Sequence, residues 1–83
     1  MNYSQLNTFR YRFENKENGQ ITYFDMPCYG NIWDQINNYK KDMKSMCLLN
    51  VSNETHEIIE VIHLFNGKTI YKNGKYFLEN WLD

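Results

Sequence analysis

Apolar and polar positions alternate along residues 6–14, with Phe9, Tyr11 and Phe13 on one side and Arg10, Arg12 and Glu14 on the other. A period of two marks a strand with one buried face. The polar run NKENGQ supplies a turn, and residues 21–26 (ITYFDM) read as the returning strand of a hairpin. Pro27 ends it, because proline cannot donate to a sheet ladder.

The period then changes. In residues 30–46 the apolar positions Ile32, Ile36, Tyr39, Met43 and Met46 are spaced four, three, four, three. That spacing lays one stripe along a helix. Asn31 is placed to cap its start, with Asp34 three residues on as in a capping box. Lys40, Lys41 and Lys44 sit near the far end, where cations suit the helix dipole.

Residues 56–65 (HEIIEVIHLF) admit two readings. Ile58, Val61, Ile62 and Phe65 fit a helical face, with Asn53 as cap and Gly67 as stop. The crowd of β-branched residues, apolar on both faces, fits a central strand instead. The next residues favour the strand. Asn66-Gly67 and Asn73-Gly74 both suit two-residue hairpin turns, which need positive φ at both central positions. Residues 58–65, 68–72 (KTIYK) and 75–79 (KYFLE) then form a C-terminal meander, with Ile70 opposite Phe77. Residues 47–51 (CLLNV) add a strand before the SNET turn. ENWLD closes the chain as the tail of the last strand or as a helical turn docking Trp81 and Leu82.

The pattern predicts an α+β fold of order ββαβββ(β). One antiparallel sheet, an N-terminal hairpin followed by the meander, carries a single amphipathic helix on one face. Eighty-three residues make one domain, spanning 1–83. Such a chain buries only about 60–65% of the surface its unfolded form exposes, so a partner or a second copy would widen its stability margin.

The segment FNGKTIYKNGK invites comparison with a phosphate-binding loop. A P-loop needs a second glycine five positions before the Gly-Lys-Thr glycine, followed by a helix. Here that position is Ile62, and TIYKNGK has Asn-Gly where the helix would run. Turns satisfy every constraint; a nucleotide site does not.

Other chemistry is sparse. Cys28, Cys47, His56 and His63 match no zinc spacing. In a strand His56 and His63 differ by an odd number and point to opposite faces, so they are expected not to share a metal. Cys28 precedes a helix N-terminus, where a thiolate is stabilised, yet nothing in the sequence orients it as a nucleophile. Glu57, Glu60 and Glu79 read as solvated positions. No enzyme, cofactor or metal is expected. The two cysteines permit one disulfide, but there is no secretory leader, so reduced thiols in a cytoplasm are expected. The sequons at Asn2, Asn50 and Asn53 follow from the abundance of Asn. No apolar run approaches the ~20 residues of a membrane helix.

A net charge of −1 removes the usual basis for non-specific nucleic-acid binding. Arg10 and Arg12, interleaved with aromatics, resemble a single-strand stacking platform. The alternation, however, assigns those aromatics to the core. Lys68, Lys72 and Lys75 would extend a basic patch or protect a sheet edge.

Fourteen aromatics among 83 residues exceed what one helix on one sheet face buries easily. Tyr29, Trp33, Tyr71, Tyr76 and Trp81 are expected to be exposed, and such residues anchor interfaces. The chain has no alanine and twelve asparagines, a residue usage typical of an AT-rich genome. The sequence thus favours a non-enzymatic protein-interaction module of phage or mobile-element type, an inhibitor or modulator of a host protein, with homodimerisation as a further expectation. Its binding residues are expected among Trp33, Tyr71, Tyr76, Trp81, Arg10 and Arg12. The alternative is a nucleic-acid or nucleotide-binding accessory domain using Arg10, Arg12 and the lysines.

Overall fold

The computed structural model describes residues 7–81; Asn2, Leu6 and Leu82, which figure in the sequence reading, lie outside the described residues. Five strands form one sheet: β1 (Thr8–Asn15), β2 (Ile21–Pro27), β3 (His56–His63), β4 (Lys68–Lys72) and β5 (Lys75–Tyr76). Helix α1 (Ile32–Lys41) leads into a 3-10 turn (Met43–Met46), and α2 (Leu78–Trp81) follows β5. The strand order is β2-β1-β3-β4-β5, with every neighbouring pair antiparallel. The fold is α+β with the predicted hairpin, helix and meander, and residues 56–63 are strand.

Alternation decides what β1 buries. Phe9, Tyr11 and Phe13 are at most 1% exposed and meet Ile32, Ile36, Met43, Met46, Val51, Ile58, Val61 and Ile70 in the core. Each fully buried aliphatic or aromatic side chain contributes about 1.5–3 kcal/mol through the hydrophobic effect. The Asn31 side chain caps α1 as expected, accepting from the amides of Trp33 (2.9 Å) and Asp34 (3.3 Å).

The last strand is shorter than the KYFLE run, because α2 begins at Leu78. Four further local expectations fail, each for a definable reason. The helix does not run to Met46. It stops at Asp42, whose backbone is extended (φ −141°, ψ 85°). There the Asn53 side chain takes over, donating to the Lys40 carbonyl and accepting from the Met43 amide. Asn53 thus closes α1 rather than opening a second helix. The apolar stripe survives the break, since Met43 and Met46 are still buried. Residues 47–51 are not a strand, because Cys47 (φ 57°) and Asn50 (φ 62°) adopt left-handed conformations that no strand accommodates.

The third failure is at Asn66-Gly67. His63 pairs with Lys68, so the β3–β4 connection has four residues, and of its Asn-Gly pair only Gly67 has positive φ (72°). The Asn66 side chain instead accepts from the Lys68 amide and donates to the Asn80 carbonyl. Asn73-Gly74 is the tight turn the sequence promised, with φ of 49° and 89°. Phe77 donates its amide to the Ile70 carbonyl, as expected for residues opposite one another.

The fourth concerns the histidines. Register shifts between Arg12 and Phe13 leave Ile59 as an extra residue in β3. This bulge reverses the parity of the strand, and His56 and His63 face the same side, against Phe13 and Phe9 respectively. Seven residues of strand still separate them by roughly 20 Å.

Candidate functional site

The surplus aromatics form one connected chain on the helix side of the sheet. Phe9 stacks on His63 at 4.7 Å, and Trp81 leans on both at 5.6 and 5.3 Å. Trp33 meets Trp81 edge-on at 6.3 Å and Tyr76 at 5.5 Å, and Tyr76 reaches Tyr71 at 5.0 Å. Each such pair adds about 0.5–1.5 kcal/mol beyond its buried area.

Local structure explains the placement. Trp33 lies one residue off the Ile32–Ile36 stripe and therefore leans sideways off α1 towards β5. The Asn73-Gly74 turn sets Tyr76 opposite Tyr71. Helix α2 brings Trp81 back over Phe9, held by the Asn80 side chain donating to the Thr69 carbonyl at 2.7 Å. Thus Tyr71 is buried, Trp33, Tyr76 and Trp81 are half-buried, and of the residues expected to be exposed only Tyr29 is fully so (86%).

One surface of this chain stays open. Trp33, Asn37, Tyr76 and Leu78 line a shallow notch of about 330 Å³ between α1 and the β5–α2 corner. The Tyr76 hydroxyl donates a short hydrogen bond to the Asn37 side-chain oxygen, and Leu78 is 59% exposed. Lys40 borders the aromatic chain, its ammonium 4.9 Å from the Tyr71 ring and 5.7 Å from the Tyr76 ring. Burial works against that ammonium, but the two tyrosines outweigh it, and its pKa lies above the ordinary lysine value.

A larger groove of about 580 Å³ runs along the other flank of α1, bordered by Cys28, Asn31, Gln35, Asn38 and Asp42. Most residues that border it are polar, but the surface they turn towards it is largely apolar. Cys28 is buried with its thiol donating to the Gly30 carbonyl, and Cys47 is exposed; both are free thiols. No group of three or more His, Cys, Asp or Glu able to hold a metal occurs among the described residues.

Arg10 and Arg12 lie on the opposite sheet face and are not brought near the aromatic chain. The Arg10 guanidinium donates to both oxygens of Asp25 (2.8 and 3.1 Å), and this bond raises its pKa further. Arg12 donates to Glu60 at 3.2 Å and lies 5.9 Å from the Tyr23 ring. Glu60 is not solvated as expected. It is 8% exposed and also accepts from the Thr69 hydroxyl at 2.7 Å.

Sequence reasoning passed over Leu78 and Asn37. Leu78 reads as a strand residue within KYFLE, and only the helical turn after Phe77 carries it to the surface beside Trp33. No helix among the described residues is long and apolar enough to cross a membrane. Comparison with protein-family models, curated proteins and solved structures finds no match to this chain.

Proposed function

We propose that the protein is a non-enzymatic interaction module that docks an apolar segment of another protein in the notch formed by Trp33, Asn37, Tyr76 and Leu78. The observation that carries this reading is an exposed leucine lining the same notch as two braced aromatic rings. Aromatic anchors dominate the energetics of protein interfaces, and rings already held in place lose little freedom on binding. Trp33 is braced by Trp81 and Tyr76, and Tyr76 by Asn37. The small size and AT-rich residue usage support a phage or mobile-element protein that modulates a host protein through this site. Arg10 and Arg12, on which a nucleic-acid reading depends, are already committed to Asp25 and Glu60.

The test compares the protein with its Leu78→Lys variant as baits in a host lysate. Side chain 78 is largely in solvent, so the variant keeps its fold, which circular dichroism checks. A protein retained by the parent and lost at least tenfold with Leu78→Lys is the expected result. Retention that the variant leaves unchanged, or no specific retention at all, overturns the reading.

A further inference from the structure

Natural sheets discourage edge-to-edge pairing with short edge strands, lysines, bulges or a covering element. The edge strand β5 has several of these: two residues, Lys72 and Lys75 at its turn, and α2 directly after it. Among the described residues the other edge strand, β2, has of such devices only Pro27 at its end and one charged residue. It runs seven residues, pairs with β1 in an unbroken register from Thr8–Pro27 to Glu14–Ile21, and contains no lysine. Its one charged side chain, Asp25, is neutralised by the two-pronged contact from Arg10.

The direction of the unused backbone groups can be fixed. At one end of the β1–β2 ladder Cys28 donates its amide to Asn7, and at the other Asn15 donates to Gln20. Antiparallel alternation then turns residues 22, 24 and 26 towards β1 and Ile21, Tyr23 and Asp25 outwards. Pro27 also lies on the outward side and has no N–H to offer.

We propose that β2 pairs antiparallel with β2 of a second copy of this chain, about a two-fold axis at Tyr23, giving one continuous ten-stranded sheet. The register follows from the chemistry. Setting Tyr23 opposite its own counterpart, and Ile21 opposite Asp25 of the other copy, satisfies all three outward amides and carbonyls on each strand. Sliding by two residues in one direction puts Pro27 into the seam and leaves the Ile21 carbonyl of each copy without a donor. Sliding in the other runs into the turn after Asn15. A second copy is the occupant that fits because the strand is complementary to itself, in donors, in acceptors and in having no uncompensated charge. Tyr23, now 54% exposed, would lie against its counterpart, with Arg12 beside it. The seam belongs to the edge opposite Tyr76 and does not depend on the notch.

Light scattering at rising concentration and oxidative cross-linking test this together. In a Cys47→Ser background, Tyr23→Cys is expected to form a covalent dimer, because directly opposite residues there lie about 5.5 Å apart at Cα, within disulfide reach. Ile21→Cys, which leaves the Arg10–Asp25 pair intact, is expected not to, since its counterpart is four residues away along the seam, roughly 13 Å. Tyr23→Lys, at an exposed side chain, is expected to weaken the dimer at least tenfold while circular dichroism shows an intact fold. A parent that stays at 10.1 kDa into the millimolar range overturns the proposal. So does a dimer that survives Tyr23→Lys, or equal cross-linking at positions 23 and 21.

Discussion

The two edges of the sheet solve the same problem differently. At the β5 edge the chain doubles back, and Asn80, Trp81 and the Asn66 side chain tie α2 onto β4 and the β3–β4 loop. At the β2 edge nothing among the described residues covers the strand, and the ion pair that would mark it as repulsive is internally balanced. The contrast teaches that an edge is protected by uncompensated charge or by cover, and that a matched salt bridge supplies neither. It also separates two surfaces, an aromatic notch on the covered edge and a bare backbone on the other.

The largest expected effect tests the cover. Trp81→Ala removes the ring that packs on Phe9 and His63, and is expected to cost about 3 kcal/mol, read from urea denaturation. It should leave association through β2 unchanged. Equal damage to both edges would mean that they are not independent.

Next comes the centre that both edges share. Glu60→Ala leaves Arg12 and the Thr69 hydroxyl without their common acceptor and is expected to cost about 2 kcal/mol. Glu60→Gln keeps an acceptor for Thr69 and is expected to cost less. Equal losses in the two variants would show that the charge, rather than the hydrogen bond to Thr69, is what matters.

Tyr11 provides a pH test of the same centre. Burial raises its hydroxyl pKa well above the ordinary value of 10.0, with the Gln35 hydrogen bond opposing the shift only in part. The unfolded chain therefore loses this proton first. The contribution is fully present below pH 10 and declines as pH rises above it, by at most about 1.4 kcal/mol per pH unit. Tyr11→Phe is expected to flatten that decline above pH 10. An unchanged alkaline slope would place the titrating group elsewhere.

The smallest effect on folding sharpens the contrast most. Arg10→Ala removes an ion pair that is screened by solvent and therefore contributes little to folding. It also leaves Asp25 as a bare charge on the β2 edge, so self-association is expected to weaken several-fold while the urea midpoint hardly moves. A shift in stability without a shift in association would contradict the role given to the pair.

Much of this was legible in the residues. The period-two run through Phe9, Tyr11 and Phe13 and the four-three spacing from Ile32 to Met46 fix which sides are buried. Asn31 and Asn73-Gly74 mark the helix start and the last turn. The illegible part depends on contacts between distant segments. The break at Asp42 carries neither Gly nor Pro and is made by Asn53, eleven positions on. The bulge at Ile59 leaves no mark in a run of β-branched residues, yet it puts His56 and His63 on one face. Glu60 reads as a surface residue until Arg12 and Thr69 are seen around it. The asparagines, first a sign of base composition, turn out to do much of the local work, at positions 15, 31, 53, 66 and 80. For the candidate surfaces, Trp33 and Tyr76 could be named in advance, whereas Leu78 needed the fold of the last turn.

Amide hydrogen exchange at two protein concentrations tests the difference between the edges most directly. The amides of Ile21, Tyr23 and Asp25 are expected to exchange freely in dilute solution and to become protected at high concentration. The Tyr76 amide, outward on the other edge, is expected to exchange at the same rate in both. Protection of residues 21, 23 and 25 that does not vary with concentration would contradict the account.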